Sequence, residues 1–104
     1  MNMKIMYAIA FDMDTKKMSE LFGETNYRNK YKEVENFFEE HHFHWTQGSL
    51  YYGDSDRAKV NMPSTFKMLD NLNKTFPWFK DCVKDIRILT IGEDDNLMSY
   101  LKDA

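Results

Sequence analysis

Two carboxylates near the start of the chain stand at a spacing that suits phosphate chemistry. Asp12 ends an apolar run that begins at Met3, and Asp14 follows two residues later with Thr15 beside it. A carboxylate that ends a buried strand can serve as a general base or as a ligand of a divalent metal ion. It can also do no more than cap the turn that follows the strand. The choice depends on what the fold brings next to Asp12.

The string DMDT resembles the DxDxT signature of haloacid dehalogenase-type phosphatases, in which the first aspartate becomes phosphorylated. That fold needs a parallel sheet built from several strand–helix–strand units of about 30 residues each. The chain has only 104 residues, and its strand pattern contains a hairpin. Neither Lys74 nor Asp94 follows a strand of such a sheet. A phosphatase is therefore the least favoured hypothesis.

Composition indicates a single globular domain over residues 1–104. The hydrophobic fraction of 42% and the aromatic fraction of 15% suffice for a packed core. The net charge of −3 argues against a protein that coats nucleic acid non-specifically, because such binding rests on many cation–phosphate contacts. Cys82 is the only cysteine, so no intramolecular disulfide can form and a reducing, cytoplasmic setting is expected. We expect no secretion signal and no membrane partner, because apolar runs stop well short of the about 20 residues of a membrane span.

The first half of the chain predicts a strand and a helix. Residues 3–11 place apolar side chains on both faces of an extended segment, which indicates a central strand covered on both sides. Residues 25–42 repeat apolar side chains every three or four positions, which indicates an amphipathic helix. Thr25 or Asn26 is expected to be its N-cap.

A hairpin and a second helix come next. Residues 43–46 and 49–52 flank Gln47-Gly48, a two-residue connection that predicts a β-hairpin. Pro63 suits the first turn of a helix, and Pro77 closes that helix. Its expected apolar stripe consists of Met62, Phe66, Leu69, Leu72 and Phe76.

The order of elements predicts an α+β fold. Residues 83–91 form the last strand, and an acidic turn leads into a short amphipathic tail at 97–104. The series β-α-β-β-α-β favours a ferredoxin-like arrangement, with two helices on one face of a four-stranded antiparallel sheet. The first strand then lies between the third and the last. We expect the helix-free face to be covered by a second copy, with the tail at the dimer interface.

This topology brings polar residues to one rim of the sheet. The end of strand one lies beside the beginnings of strands three and four, where lateral neighbours are about 4.5–5.5 Å apart. Asp12 is therefore expected near Ser49, which would orient a nucleophile, and near Lys84 and Arg87, which would offset charge in the transition state. Each position also has a structural alternative. As a structural residue, Asp12 caps a turn, Ser49 is an ordinary hairpin residue, and Arg87 pairs with Asp85.

Three motifs resemble those of the virulence-associated protein D (VapD) family. They are MYAIAFDMDT from Met6, FHWTQGSLYYG from Phe43 and PWFKDCVKDIRILTI from Pro77, and the likeness continues to about Met98. The resemblance implies a ferredoxin-like homodimer with endoribonuclease activity, found in bacteria and linked to toxin–antitoxin or persistence functions. It also implies kinship with the small nuclease subunit of CRISPR adaptation complexes, which shares the strand-one aspartate.

The resemblance assigns family motif positions to residues of this chain. The motif aspartate corresponds to Asp12, the serine of TQGS to Ser49 and the arginine of DIR to Arg87. Family members commonly have glycine where this chain has His42. Because glycine adopts the left-handed conformation most easily, strain is expected at that helix end.

The leading hypothesis is an mRNA-interferase-like endoribonuclease. Single-stranded RNA would lie in a dimer cleft beside Lys84 and Arg87, and Asp12 would act in cleavage, either with a divalent metal such as Mg²⁺ or without one. The alternative is a non-catalytic dimeric scaffold or a partner protein of a toxin–antitoxin pair, which the acidic net charge favours. RNA, a second copy and an antitoxin protein are thus the expected partners.

Two other clusters are not expected to bind metal. His41 and His42 point roughly 100° apart on a helix, so together with His44 they do not converge as zinc ligands do. Asp94 and Asp95 offer oxygen ligands of the kind magnesium prefers, but an acidic surface turn is the better interpretation.

Overall fold

The computed structural model describes residues 6–92 and 97–103. Within these residues the chain forms four strands and five helices. In chain order they are β1 (Met6–Met13), α1 (Thr15–Phe22), α2 (Tyr27–Glu40), β2 (Phe43–Gln47), β3 (Leu50–Gly53), α3 (Met62–Thr75), α4 (Phe79–Cys82), β4 (Val83–Ile91) and α5 (Met98–Asp103).

The strands form one antiparallel sheet in the order β2-β3-β1-β4. β1 lies between β3 and β4, as the sequence predicts for a ferredoxin-like α+β fold, and the fold prediction is confirmed. β2 and β4 are the edge strands. The segment 3–5, expected to open the first strand, lies outside the described residues. The strand extends to Met13 rather than ending at Phe11.

The core lies between the helices and one face of β1. Ile9, Phe11 and Met13 alternate along the strand and are all buried. The ring centroid of Phe11 is 5.2 Å from that of Phe38 and 5.6 Å from that of Tyr51, so β1 is held by stacked aromatic rings from α2 and β3. Since neighbouring residues in a strand face opposite sides, this anchoring turns Asp12 to the helix-free face.

The short helix α1 was not predicted, because residues 15–22 read as a polar connection. Asp14 is its N-cap, and the Asp14 carboxylate accepts a hydrogen bond of 3.0 Å from the backbone N–H of Lys17. Met18 anchors the helix in the core with no exposed surface. One buried side chain in eight residues is too weak a periodic signal to identify a helix.

Helix α2 is shorter than expected at both ends. It spans Tyr27–Glu40 rather than 25–42, and Asn26 is its N-cap without a side-chain hydrogen bond. His42 follows with φ of 70°, the left-handed conformation that glycine adopts most easily. The expectation of backbone strain at this residue is confirmed, because a side chain with a Cβ is disfavoured there.

The hairpin turn lies one residue later than predicted. β2 runs to Gln47 and β3 starts at Leu50, so the turn consists of Gly48 and Ser49. Trp45 pairs with Tyr51 while Gln47 pairs with Leu50, which makes a bulge in β2. The extra residue in the bulge moves the turn along the chain.

Helix α3 begins as predicted, and its buried face overlaps the predicted stripe in part. Asn61 caps it in a reciprocal capping box with Ser64, and Pro63 lies in its first turn. The buried residues are Thr65, Met68 and Leu72. Of the predicted stripe only Leu72 is buried, and Phe66 is 57% exposed. The stripe is confirmed in part, because Leu69 and Phe76 are partly buried against the core while Met62 and Phe66 are exposed.

Candidate active site

Asp12 lies on the helix-free face of the sheet, at the end of a central strand. It is exposed, whereas Phe11 and Met13 on either side of it are buried. The strand register places Asp12 directly opposite Asp85 of β4, and Ala10 opposite Arg87. Because paired residues of a ladder share a face, Asp12, Asp85 and Arg87 lie together on the open sheet surface.

Arg87 is engaged by one of these two carboxylates. Its Nε donates a hydrogen bond of 2.8 Å to Oδ2 of Asp85. This bond raises the pKa of the Arg87 guanidinium above its ordinary value. The prediction that Arg87 pairs with Asp85 is confirmed.

The Asp12 carboxylate is free. Among residues 6–92 and 97–103 it makes no hydrogen bond and no ion pair. An exposed carboxylate beside a neutralised one can accept a proton or bind a cation without first breaking an internal bond.

Lys84 occupies an irregular position beside these residues. Asp12 pairs with Asp85 and Met13 pairs with Val83, so Lys84 is the extra residue of a β-bulge. A bulge bends the strand locally and redirects a side chain, and such bulges are common next to active sites. Lys84 is exposed there. The structure brings it to the same rim as Asp12, as the sequence predicts.

Ser49 reaches this rim through its backbone. The backbone N–H of Phe11 donates a hydrogen bond of 3.2 Å to the carbonyl oxygen of Ser49. Ser49 therefore stands level with Phe11, one residue before Asp12, in the hairpin turn and not at the start of β3. Its neighbour Leu50 pairs with Ala10 and so shares the open face with Asp12.

Comparison with known proteins identifies the family. The family described as CRISPR associated protein Cas2 matches residues 3–98. The chain is 39% identical over 93 residues to "Endoribonuclease VapD 2" of Riemerella anatipestifer, covering 89% of this chain and 96% of that protein. It is 39% identical over 97 residues to "Endoribonuclease VapD homolog" of Helicobacter pylori, covering 93% and 97%. The chain belongs to the VapD/Cas2 family. A third member, "Endoribonuclease VapD" of Dichelobacter nodosus, is 31% identical over 99 residues, with 95% of this chain and all of that protein covered.

Membership of the VapD/Cas2 family and the antiparallel sheet exclude the phosphatase hypothesis. The resemblance of DMDT to DxDxT is coincidental, because Thr15 stands one position too early for that motif. Asp14 has a structural role instead, as the N-cap of α1. The two aspartates thus differ in environment, since the Asp14 carboxylate accepts a backbone hydrogen bond and the Asp12 carboxylate has no polar partner among the described residues.

The remaining candidate groups do not extend the site of this VapD/Cas2 family member. Among the described residues, no group of three or more His, Cys, Asp or Glu side chains is arranged to hold a metal ion. Asp94 and Asp95 lie outside the described residues. Cys82 is fully buried, and its burial raises the pKa of the thiol, which makes it a poor nucleophile. Within the described parts of the chain, no helix is both long enough and apolar enough to cross a membrane.

A histidine clamp joins α2 to the hairpin, and the sequence did not indicate it. Nδ1 of His44 lies 2.7 Å from Oε2 of Glu39, and its Nε2 lies 3.1 Å from Oδ1 of Asp54. The hydrogen bond to Glu39 raises the pKa of His44, while hydrogen bonds from the Trp45 backbone N–H and from His44 lower the pKa of Glu39. The predicted hairpin was the available signal, because it brings β2, which carries His44, beside the end of β3, which Asp54 follows.

Proposed function

We propose that this protein is an endoribonuclease that cleaves single-stranded RNA, with Asp12 as its catalytic carboxylate. The observation that carries the proposal is the free, exposed Asp12 opposite Asp85 on the open sheet face, with Arg87 beside them. Three relatives are named endoribonucleases, which supports RNA cleavage as the class of reaction.

Asp12 acts as the general base. Its carboxylate accepts the proton of the attacking oxygen, which bonds to phosphorus as the bond to the 5′-oxygen of the next nucleotide breaks, and the leaving 5′-oxygen takes up a proton from solvent water. The attacking group is either the 2′-hydroxyl of the RNA or a water molecule. The two routes leave different ends, namely a 2′,3′-cyclic phosphate in the first case and a terminal phosphate with a free hydroxyl in the second.

Arg87 and Lys84 bind the RNA backbone. Arg87 shares the open face with Asp12, and its charge offsets the negative charge that builds up on the phosphate oxygens. Lys84 projects from the bulge at the same rim. Ser49 is proposed as a residue that orients the nucleophile, and its position in the turn next to β1 supports contact with the substrate rather than with Asp12.

A divalent cation fits the chemistry of the open face. Magnesium binds proteins through one or two carboxylates and keeps several water ligands. Asp12 and Asp85 supply two carboxylates on the same face of the sheet. These two residues would hold the ion, which would supply Lewis-acid activation of water or of a phosphate oxygen. The proposed proton transfer to Asp12 does not depend on this ion.

We propose that the active form is a homodimer with a cleft between two open sheet faces. Leu89 is 38% exposed on that face, and Leu50 and Tyr52 are half-buried there. Pairing two such faces would bury apolar surface and bring the two Asp12 residues to one cleft. The cytoplasm is the proposed location, because the free thiol of Cys82 suits a reducing compartment.

The test compares Asp12→Asn with the wild type on single-stranded and double-stranded RNA and DNA. Asp70→Asn is the matched control, since it removes an exposed carboxylate from α3. General bases contribute typically 10²–10⁴-fold, so we expect Asp12→Asn to lose at least about 100-fold in RNA cleavage and Asp70→Asn to keep wild-type rates. The chemical ends of the products distinguish attack by the 2′-hydroxyl from attack by water. Chelation followed by added Mg²⁺ tests whether cleavage depends on a metal ion.

Two outcomes would overturn the proposal. Retained cleavage by a folded Asp12→Asn variant would remove Asp12 from the reaction. Wild-type protein that dimerises but leaves every RNA intact would favour the alternative, a non-catalytic scaffold or a protein that acts through an antitoxin partner. The acidic net charge of −3 is the observation that favours this alternative.

A further inference from the structure

A cavity of about 240 Å³ lies between helix α2 and the hairpin, away from the catalytic rim. One wall is a face of α2, because its residues are spaced three or four positions apart. They are Lys32, Glu35, Asn36 and Glu39. The other wall is formed by Trp45 and Tyr51, which pair across β2 and β3. The volume is below the about 300–1,000 Å³ of sites for drug-sized ligands, so the cavity suits a single planar ring system.

Trp45 presents an aromatic face of fixed orientation to this cavity. Its side chain is 58% exposed. Its Nε1 donates a hydrogen bond of 2.8 Å to the carbonyl oxygen of Gly48, and its backbone N–H donates one of 2.9 Å to Oε1 of Glu39. Because these bonds hold the ring in place before a ligand arrives, binding to it costs little side-chain entropy. An exposed ring held in this way is suited to stack on a flat, unpaired base.

The polar groups beside the ring suit the edge of a base better than a phosphate. The lining holds two carboxylates, Glu35 and Glu39, which repel anions. Oε2 of Glu35 accepts a hydrogen bond of 3.0 Å from the Tyr51 hydroxyl, but a carboxylate has about four acceptor sites and can accept more. An exocyclic amine is the matching donor. Adenine, cytosine and guanine carry such an amine, whereas uracil does not.

The hairpin turn connects this cavity to the rim that carries Asp12. Trp45 is bonded to Gly48 of the turn. The next residue, Ser49, accepts a hydrogen bond from the backbone N–H of Phe11, which precedes Asp12. The cavity lies on the side of the sheet that carries the helices, and Asp12 lies on the other side. A strand of RNA that reaches both must therefore cross the turn.

We propose that this cavity binds one unpaired amine-bearing base of the RNA, with the base stacked on Trp45 and its amine bonded to Glu35. Asn36 supplies a further donor and acceptor, and Lys32 pairs with the phosphate attached to the base. The inference rests on the RNA substrate of the proposed function and adds a base-binding site outside the catalytic rim. The site takes no part in proton transfer.

RNA binding tests the stacking. Fluorescence anisotropy with a short single-stranded oligo(A) is measured in an Asp12→Asn background, which separates binding from cleavage. Trp45→Leu removes the aromatic ring and keeps an apolar side chain. Phe66→Leu is the matched control, since Phe66 is 57% exposed on α3. Stacking of one base is worth about 5–150-fold in affinity, so we expect Trp45→Leu to bind at least about fivefold more weakly than the control. Equal affinities would overturn the proposal.

Trp45→Phe separates stacking from a purely structural role of the ring. Phenylalanine keeps an aromatic face but cannot donate the hydrogen bond to Gly48. Stacking predicts that Trp45→Phe recovers most of the RNA affinity that Trp45→Leu loses, with both variants folded by circular dichroism. If the ring only supports the hairpin, the phenylalanine variant recovers no affinity, and that result would contradict the proposal.

A titration with nucleotides monitors the cavity directly and needs no RNA. Trp78→Phe leaves Trp45 as the only tryptophan of the chain. We expect AMP and CMP to quench Trp45 fluorescence at lower concentrations than UMP, and ribose 5-phosphate, which lacks a base, to leave it unchanged. If Trp78→Phe does not fold, the same titration compares the wild type with Trp45→Phe, in which the quenching should be lost.

Two results of this titration would overturn the proposal. Equal quenching by UMP would remove the role of the carboxylate acceptors. Binding of AMP as tight as that of oligo(A) would identify a site for free nucleotides and not for RNA.

The outcomes are separable from those of the proposed function. Loss of cleavage in Asp12→Asn, with RNA affinity unchanged in Trp45→Leu, would support the catalytic role of Asp12 and overturn the base-binding site. Retained cleavage in Asp12→Asn, with selective quenching of Trp45 by AMP and CMP, would do the reverse.

Discussion

Asp12 and Asp85 stand directly opposite each other on β1 and β4, two carboxylates at one position of an antiparallel pair. Like charges at such positions destabilise a sheet. Arg87 neutralises Asp85 through its 2.8 Å hydrogen bond, while Asp12 keeps its charge unpaired among the described residues. A fold that keeps an unfavourable charge at the end of its central strand does so at the expense of stability, as active sites commonly do.

Replacing Asp12 by Asn should therefore stabilise the protein while it removes activity. The amide ends the like-charge contact with Asp85 and breaks no bond that Asp12 makes, so we expect a gain of about 0.2–1 kcal/mol in unfolding free energy. Urea denaturation at pH 7 and low salt measures it. Asp85→Asn should gain less, because it also loses the ion pair with Arg87. A lower stability for Asp12→Asn than for the wild type would contradict the assignment of Asp12 as an unpaired charge.

Replacing Arg87 by Gln should weaken RNA binding in a salt-dependent way. Loss of one phosphate contact on a single strand should reduce the slope of log affinity against log salt by about 0.7. Fluorescence anisotropy in an Asp12→Asn background measures binding without cleavage. Lys67→Gln is the control, since it removes an exposed cation from α3. Equal slopes for Arg87→Gln and Lys67→Gln would argue against a specific phosphate contact at Arg87.

The His44 clamp should make stability depend on pH. The raised pKa of His44 stabilises the fold fully below about pH 6.5, and this contribution is lost as pH rises through the raised value. The lowered pKa of Glu39 stabilises the fold above about pH 4.3, and this contribution is lost as pH falls through the lowered value. The clamp should thus contribute most between these limits.

We therefore expect the stability difference between the wild type and His44→Gln to be largest near pH 5.5 and to shrink by pH 8.5. Because both side chains are about half exposed, the difference should stay below about 1 kcal/mol. Urea denaturation at pH 5.5, 7 and 8.5 measures it. A difference that grows as pH rises would contradict a protonated His44 between two carboxylates.

Replacing His42 by Gly should stabilise the fold. The φ of 70° disfavours a residue with a Cβ by roughly 1–2 kcal/mol, and glycine removes that cost while it adds chain entropy to the unfolded state. We expect a net gain of about 0.5–1 kcal/mol, seen as a rise in melting temperature of a few degrees. His42→Ala is the control, because it removes the same imidazole but keeps the Cβ. Equal melting temperatures for the two variants would show that His42 is not strained.

The order of the strands could be read from the sequence because hydrophobic alternation and turn residues are local signals. Apolar residues on both sides of β1 identified a central strand, and the series of elements then left few compact arrangements. The strain at His42 was predicted from the resemblance to the VapD family, since glycine is expected at that helix end. The position of the Asp12 carboxylate at the rim of the sheet followed from the predicted topology alone.

Register, bulges and the buried face of a helix were decided by tertiary packing. Alternation repeats every two residues, so the sequence could not distinguish Asp85 from Val83 or Arg87, two residues to either side, as the partner of Asp12, nor locate Lys84 in a bulge. The stripe of α3 was misjudged in part because burial depends on how the helix rotates against the sheet, and Phe66 was left outside.

The sequence by itself determined that Asp12 ends a central strand, because that follows from a short run of apolar residues and one charge. Only the folded chain decided that Asp12 is unpaired, that Asp85 faces it and that Asp14 caps a helix. The two kinds of information differ in their physical origin. Alternation along one strand depends on neighbouring residues. Pairing across strands joins residues about 70 positions apart and depends on how the whole core packs.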